Sequence, residues 1–307
     1  MILVAGGSGT LGTRLLGLLA DRALDVRILT RDADRARPLV GPRVQTVTGD
    51  VTDPRTLEQA VAGADAVVSA ITGFGPANDV SPRTVDWQGN ANLIRAAKAA
   101  GVEHFVLLSV CQAAADHPIE LFRMKHRAEE ELRASGLGWT IIRPTAYMET
   151  WLRVLGDPLL DTGNTRIFGR GENPMNFVSA CDVAGFVDLG VRDRAMRGVT
   201  VDAGGPENLT MNQVVETFQT LTGAKGKVSH VPLALLRAMS MLMKPVNPTM
   251  AGLAEASVVM DTRDMTFDAS GTRGRYPSIA ITHLADVVRK DYADRSAASL
   301  QQLPRQA

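Results

Sequence analysis

The fold is decided by the stretch MILVAGGSGTLGTRLLGLL, residues 1–19. Residues 2–5 are apolar and predict a short buried strand, whereas the apolar residues from Leu11 to Leu19 recur at helical spacing. Between these two segments, glycine stands at positions 6, 9 and 12. A buried strand that turns through glycines directly into a helix is typical of the first unit of an α/β domain.

Each of the three glycines has a separate physical role. Gly6 permits the tight turn after the strand, Gly9 lets a pyrophosphate approach the backbone, and Gly12 lets the helix pack closely on the sheet. The helix directs unpaired N–H groups and a partial positive charge at phosphate oxygens. The turn therefore predicts a dinucleotide site, with cofactor contacts expected from Gly6, Gly7, Ser8, Gly9, Thr10, Leu11 and Gly12.

The end of the second predicted strand indicates which dinucleotide is bound. Residues 25–30 form this strand, and Arg31 follows about 20 residues after the glycine turn. An arginine here pairs with the 2′-phosphate of NADP(H), whereas a carboxylate accepts hydrogen bonds from the ribose of NAD(H). Asp32 supplies a carboxylate, but it is also a natural N-cap for a helix that starts at Ala33. Thr30 and Arg31 favour NADP(H), with NAD(H) as the alternative.

Strand and helix alternate six times up to Pro144. The later predicted strands are residues 44–49, 66–71, 105–110 and 139–144. Such alternation is typical of an α/β fold with a doubly wound parallel sheet, the Rossmann arrangement, in which the carboxyl ends of the strands face the cofactor. Asp50 and Val51 are therefore expected to contact the cofactor near the adenine. Near the nicotinamide, contacts are expected from Ser69, Ala70, Ile71 and Thr72.

The alternation stops after the sixth strand, which suggests two lobes. Residues 1–150 are expected to form the NAD(P)-binding domain, to which residues 177–203 return. Residues 151–176 and 204–307 are expected to form a smaller lobe for substrate or partner.

Within the smaller lobe the pattern is weak. Residues 145–176 read as loop-rich, and residues 244–280 show no clear periodicity. Apolar and sulfur-containing residues in this region are candidates for a flat substrate pocket or, alternatively, for ordinary core: Met148, Trp151, Phe168, Met175 and Phe177.

Composition and charge exclude several classes of partner. The 307-residue chain has 33 Lys and Arg and 33 Asp and Glu without a run of like charge, so we expect neither nucleic acid nor a membrane as a partner. The apolar stretch at 232–243 is too short to span a bilayer. Cys111 and Cys181 lack metal-ligand spacing, so no metal is expected. We expect a cytoplasmic monomer or homodimer that acts on a small molecule.

The set of residues that would transfer a proton during catalysis is incomplete. A short-chain dehydrogenase uses a serine after the fifth strand and Tyr-x-x-x-Lys on the next helix. Ser109 and Lys125 stand at these positions, but Leu121 replaces the tyrosine. Lys125 is a candidate clamp for the nicotinamide ribose or an acid/base, and otherwise a solvated helix lysine. Tyr147, just after the sixth strand, is a candidate source of a phenol from another direction.

Seven blocks of the sequence resemble NmrA-like, atypical short-chain dehydrogenases/reductases, and especially the branch whose members assist photosystem assembly. The resemblance extends over nearly the whole chain, and its two central blocks, at 85–109 and 125–149, are the most specific. The blocks are GGSGTLG at 6–12, LTRD at 29–32, GDVTD at 49–53, VDWQGNANLIRAAKAAGVEHFVLLS at 85–109, KHRAEEELRASGLGWTIIRPTAYME at 125–149, FVSACDVA at 177–184 and GGPENLT at 204–210.

The resemblance implies that the three glycines hold pyrophosphate, that Arg31 holds the 2′-phosphate and that Lys125 lies at the nicotinamide. Leu121 departs from the active short-chain pattern, although it does not depart from many relatives in this family. Some relatives reduce quinones, benzylic ethers or triarylmethane dyes, and others only bind or sense the dinucleotide. Two hypotheses follow: an NADPH-dependent reductase of a quinone-like or aromatic acceptor, or a non-catalytic NADP(H)-binding sensor or assembly protein.

Overall fold

The computed structural model describes residues 1–75 and 80–301, without the side chains of Arg35 and residues 294–301. Its strands are β1 (Ile2–Ala5), β2 (Val26–Thr30), β3 (Val44–Thr48), β4 (Ala66–Ser69), β5 (His104–Leu108), β6 (Gly138–Pro144), β7 (Ala146–Tyr147), β8 (Asn164–Phe168), β9 (Met175–Val178), β10 (Val199–Ala203), β11 (Glu207–Leu209) and β12 (Lys227–Val231).

The α-helices alternate with these strands at first and dominate the chain later. They are α1 (Thr10–Asp21), α2 (Ala33–Ala36), α3 (Leu57–Val61), α4 (Asn90–Ala99), α5 (Glu120–Ala134), α6 (Met148–Leu155), α7 (Asp157–Thr162), α8 (Ala180–Arg192), α9 (Met211–Thr222), α10 (Leu233–Leu242), α11 (Pro248–Thr262), α12 (Ser270–Arg275) and α13 (Leu284–Gln301). Short 3₁₀ turns occur at Arg37–Leu39, Pro54–Thr56 and Arg194–Met196, and a π-helix at Pro82–Gly89 leads directly into α4.

The central sheet has seven strands in the order β10-β6-β5-β4-β1-β2-β3, and all of its pairs are parallel. This arrangement confirms the predicted doubly wound α/β fold. The strand order reverses between β1 and β4, and in such sheets the crevice at this switch point accepts the ligand.

Burial explains why these segments form the sheet. All four residues of β1 and all five of β5 are buried, as expected for strands that are covered by helices on both faces. Ser81 begins the π-helix with a capping box, because its side chain accepts from the Thr84 amide and Thr84 bonds back to the Ser81 amide. Leu3, Phe105 and Ile141, all fully buried, lie in the core of this sheet.

The chain divides into two compact units. The first comprises Met1–Pro144, Ala180–Ala203 and Tyr276–Ala280, and the second comprises Thr145–Ser179, Gly204–Arg275 and Ile281–Ala307. The first unit thus ends six residues before the predicted boundary at 150 and regains a segment, 276–280, that the sequence assigned to the other lobe.

The expectation that residues 145–176 are loop-rich was wrong. This part of the second unit contains β7, α6, α7, β8 and the start of β9. The elements are short, and their burial patterns are clear only in the structure: α6 buries Met148, Leu152 and Leu155 on one side, and β8 alternates buried with exposed residues. In the described parts of the chain, no helix is both long enough and apolar enough to cross a bilayer.

Candidate functional site

The glycine turn after β1 has the geometry of a phosphate-binding turn. Gly6 adopts φ +89°, and a Cβ at this position would lie 2.5 Å from the carbonyl oxygen of Ala70. A Cβ on Gly12 would lie 2.3 Å from the carbonyl oxygen of Gly6. Gly9 is the N-cap of α1 and contributes no side-chain cap. The turn therefore requires glycine, and it leaves the start of α1 open to a phosphate.

A cleft of about 610 Å³ lies in the first unit at the carboxyl ends of β1, β2, β3 and β4. This volume is within the range of small-molecule and cofactor sites. The cleft brings together many of the residues that the sequence predicted to hold the cofactor, namely Gly6, Ser8, Gly9, Thr30, Arg31, Asp50, Val51, Ala70, Ile71 and Thr72. It is also lined by Asp32, the alternative carboxylate, and by residues that the sequence did not indicate: Ala5, Leu29, Gly49, Val80 and Val85.

The structure distinguishes the roles of Arg31 and Asp32, which the sequence left open: Asp32 caps a helix, and Arg31 is available at the cleft. Oδ1 of Asp32 accepts from the amide of Asp34 at 2.9 Å, which is the N-capping role for α2. Arg31 is exposed at the cleft and, among the described residues, has no hydrogen-bond or ion-pair partner. A guanidinium that lacks a protein partner at the end of β2 is suited to bind the 2′-phosphate of NADP(H).

Four further predicted cofactor residues lie in or beneath the turn. Gly7 packs on β2, since a Cβ there would lie 2.8 Å from Cγ2 of Ile28. Thr10 is the first residue of α1, and Leu11 and Gly12 are buried in that helix. We expect these four residues to shape the turn and to contact the cofactor through their backbone atoms.

Ser69 lies away from the cleft surface. Its side chain is fully buried, and its hydroxyl donates to Oδ1 of Asn90 at 2.6 Å. The hydroxyl thus joins β4 to α4, so a side-chain contact between Ser69 and a cofactor is not compatible with this arrangement. The next residues, Ala70, Ile71 and Thr72, line the cleft instead.

Lys125 is buried in α5, so the interpretation of it as a solvated lysine was wrong. Its ammonium donates to the carbonyl oxygens of Ile71 and Leu108, both at 2.8 Å, and lies 3.1 Å from Oδ1 of Asp86. Asp86 also accepts from the amide of Gly73 at 2.8 Å. Burial raises the pKa of Asp86, and the nearby ammonium opposes this shift.

The contacts of Lys125 therefore support Ile71, which lines the cleft. They join the segment after β4 to β5, α5 and the π-helix. The ammonium of Lys125 is already surrounded by three oxygen partners. Its expected direct contact with the cofactor stays a prediction.

Ser109 takes part in a second buried network in the first unit. Its hydroxyl donates to Oε1 of Glu129, and Nε of Arg143 donates to the same oxygen at 2.8 Å. Nη2 of Arg133 donates to Oε2 of Glu129 at 3.0 Å. Glu129 is fully buried and raises the pKa of Arg143 through this hydrogen bond. The Ser109 hydroxyl is thus committed to a carboxylate, and its catalytic role stays a prediction.

Tyr147 belongs to the second unit, where it is half-buried in β7. Burial, and to a smaller extent the charge of Glu149, raises the pKa of its phenol. A phenol whose ionisation is suppressed keeps its proton at neutral pH. Its role as a proton donor stays a prediction.

The second unit contains a small apolar cavity of about 40 Å³. Trp151, Phe168 and Met175 line it, whereas Met148 and Phe177 are fully buried in the core of the unit. Three of the five pocket candidates therefore share a cavity, and two are ordinary core. No group of metal-ligating side chains occurs among the described residues.

Sequence reasoning missed Asp86 and Glu129, the two carboxylates that organise these networks. Both are fully buried. Nothing in the local sequence distinguishes them from surface acids, because their cationic partners Lys125 and Arg143 are 39 and 14 positions away. Only the packing of helices on the sheet brings each pair together.

Comparison with known proteins agrees with this geometry. A family model described as NAD(P)H-binding matches residues 6–187. The chain is 31% identical over 239 residues to the NAD(P)H azoreductase of Xenophilus azovorans, an alignment that covers 78% of this chain and 79% of that protein. It is 30% identical over 239 residues to the photosystem II assembly factor Ycf39 of Synechocystis sp., with 78% and 72% covered.

A solved structure supports the fold. The NADPH-dependent quinone oxidoreductase QOR2 of Escherichia coli, complexed with NADPH, superposes with a TM-score of 0.74. The match covers 95% of this chain and 100% of that chain, at 21% identity. The match therefore includes residues of both units.

Proposed function

The chain belongs to the NAD(P)H-binding family, and from this premise we propose that it is an NADPH-dependent oxidoreductase that reduces an electrophilic, quinone-like or aromatic small molecule. The single observation that carries the proposal is the cleft at the switch point, which is lined both by the glycine turn and by the unpaired cation of Arg31. The residues fit the cofactor: a Cβ would fill the turn at Gly6 or Gly12, and the guanidinium lacks a protein partner.

The cleft residues suggest how the dinucleotide would lie. Pyrophosphate would occupy the turn at Gly6 and Gly9, and the adenosine 2′-phosphate would meet Arg31. Leu29, Val80 and Val85 offer apolar surface to the adenine side. Ile71 and Thr72 would border the nicotinamide, which supplies a hydride when reduced cofactor is bound.

The available proton chemistry indicates the class of acceptor. Among the described residues that line the cleft there is no tyrosine, histidine, cysteine or lysine. Ketone reduction without a positioned donor loses roughly a hundredfold or more in rate. A quinone-like or azo acceptor stabilises the charge that it gains with the hydride and can take its proton from water. The similarity to an NAD(P)H azoreductase supports this class of acceptor.

A second candidate function is supported by a different comparison. The similarity to the photosystem II assembly factor Ycf39 favours a protein that binds NADP(H) and acts through a partner without turnover. In that case Leu121, at the position of the missing tyrosine, would be compatible with binding alone. The two functions share the same cofactor cleft and differ in whether a hydride leaves it.

One experiment separates the two candidates. Purified protein is incubated with NADPH and, in turn, with a series of quinones and azo dyes, and the absorbance of the reduced nicotinamide is followed. Steady loss of absorbance with at least one acceptor supports the reductase. Tight NADPH binding by fluorescence, without turnover of any acceptor, supports the assembly or sensor function instead, and the absence of NADPH binding would overturn both.

A further inference from the structure

The stretch from the start of α10 to the start of α11 exposes an unusual amount of apolar surface. Of the nine exposed large hydrophobic residues in the described part of the chain, five lie between positions 235 and 250. We call them the hairpin tip: Leu235, Met241, Leu242, Val246 and Met250. Exposure is highest at the connection itself, with 73% at Met241, 74% at Leu242 and 78% at Val246. Exposed apolar residues concentrated in this way mark an interaction surface.

The hairpin tip lies in a stretch of sequence without acidic residues. Residues 217–254 contain no Asp or Glu, although the whole chain is neutral. The same segment carries four exposed cations, none of which forms an ion pair with another described residue: Lys225, Lys227, Arg237 and Lys244. Apolar residues separate these cations, so they do not form a run that sequence inspection would detect. A neutral protein therefore has a local basic and apolar segment.

We propose that the hairpin tip docks the protein on an anionic phospholipid surface. The apolar side chains would enter the boundary between headgroups and acyl chains, while Arg237 and Lys244 would contact lipid phosphates. The ten-residue helix α10 is about 15 Å long, half the thickness of the hydrocarbon core. It is thus suited to lie in the interface and too short to cross the bilayer.

Charge favours lipid over a second copy of the chain. Two copies that met through the hairpin tip would bring the cations Arg237 and Lys244 of each copy together, whereas an anionic bilayer supplies the opposite charge. The segment 233–250 also contains no tryptophan, tyrosine or phenylalanine. Protein interfaces usually rely on such rigid aromatic anchors, whereas a fluid bilayer accepts flexible Met and Leu side chains.

The test is co-sedimentation of the full chain with phosphatidylcholine vesicles, prepared with and without phosphatidylglycerol. We expect binding to the vesicles that contain phosphatidylglycerol and loss of binding at high salt, because exposed charges are then screened. Leu242→Glu should weaken binding at least about tenfold, since it replaces an inserted apolar side chain by a charge. Val246→Glu, in the connection outside both helices, should act in the same direction.

Matched variants keep the result interpretable. Val40→Glu changes another exposed valine, at 50% exposure in the first unit, and should leave vesicle binding unchanged. Removal of Arg237 or Lys244 by alanine should weaken binding about fivefold for each cation, whereas Arg43→Ala should have no effect. Thermal unfolding and NADPH binding of every variant should match those of the wild type.

Four results would overturn the proposal. Wild-type protein that fails to sediment with either kind of vesicle, or that binds both equally, would exclude an anionic lipid surface. Equal weakening by Val40→Glu and Leu242→Glu would show that the hairpin tip has no special role. A dimer that dissociates on Leu242→Glu, measured by analytical ultracentrifugation without lipid, would assign the surface to a second copy.

Discussion

The ammonium of Lys125 lies 3.1 Å from Oδ1 of Asp86, and both side chains are buried. Removal of one member of a buried ion pair leaves the other charge without compensation. We therefore expect Lys125→Met to lower the free energy of unfolding by about 3–5 kcal/mol. The double variant Lys125→Met/Asp86→Asn should be more stable than Lys125→Met alone, because the amide carries no charge and still accepts from Gly73.

Urea unfolding of the two variants, with Lys98→Met as an exposed control on α4, measures this effect. If Lys125→Met unfolds at the same urea concentration as the wild type, the pair does not support the cleft. The NADPH affinity of the double variant then reports separately whether Lys125 contacts the cofactor.

Arg31 should select the phosphorylated cofactor. Arg31→Ala removes the unpaired guanidinium at the cleft, so we expect NADPH affinity to fall by about 1.5–3 kcal/mol, the range for a charge-assisted hydrogen bond. NADH affinity should hardly change. Fluorescence titration with both cofactors measures the ratio, and Arg43→Ala, an arginine paired with Asp25, serves as the control. Equal losses for NADPH and NADH would contradict the assignment of the 2′-phosphate to Arg31.

Two glycines on the same helix should respond in opposite ways to alanine. Gly12→Ala places a Cβ 2.3 Å from the carbonyl oxygen of Gly6, whereas a Cβ at Gly17 meets no atom within 4 Å. We expect Gly12→Ala to abolish NADPH binding and to destabilise the first unit. Gly17→Ala should raise the free energy of unfolding by about 0.5–1 kcal/mol. Calorimetry and NADPH titration test both, and normal binding by Gly12→Ala would refute the turn geometry.

The hydroxyl of Ser109 should act on stability rather than on catalysis. It donates to the buried carboxylate of Glu129, so Ser109→Ala is expected to cost about 1.5–3 kcal/mol of unfolding free energy. Cofactor affinity and the KM for any acceptor should stay near wild-type values. A large drop in kcat with unchanged stability would instead support the predicted catalytic role of Ser109.

Cys111 should resist alkylation up to high pH. Burial, together with the charge of Asp202, raises the pKa of its thiol from 9.0 to about 11. At pH 9 about 1% of the thiol is ionised rather than half, so iodoacetamide should react about fiftyfold more slowly than with an unfolded chain. Mass spectrometry of the Cys181→Ser protein isolates this thiol.

The sign of the linkage follows from the same shift. The unfolded chain loses the Cys111 proton first, so the stability contributed by this thiol is fully present below pH 9 and falls as pH rises toward 11. Cys111→Ala should remove that part of the pH dependence. Rapid alkylation at pH 9 would show that the thiol is open to solvent.

Local patterns were sufficient for the first unit. The predicted span of β1, residues 2–5, matches the structure at both ends, and the predicted sixth strand, residues 139–144, ends at the same residue as β6. Buried parallel strands read as continuous apolar runs, and their helices carry caps and glycine ends, so each element is encoded within its own residues. Residues 145–176 were misread because their strands and helices are short and gain stability mainly from tertiary packing.

The sequence by itself determined the alternating α/β fold, the glycine turn at residues 6–12 and the position of Arg31 after β2. These features depend on backbone conformation and on spacing along the chain. Only the tertiary structure decided where the hydroxyl of Ser69 and the ammonium of Lys125 point. Their partners, Asn90 and Asp86, lie 21 and 39 positions away, and a buried polar group bonds to whichever partner packing places within reach.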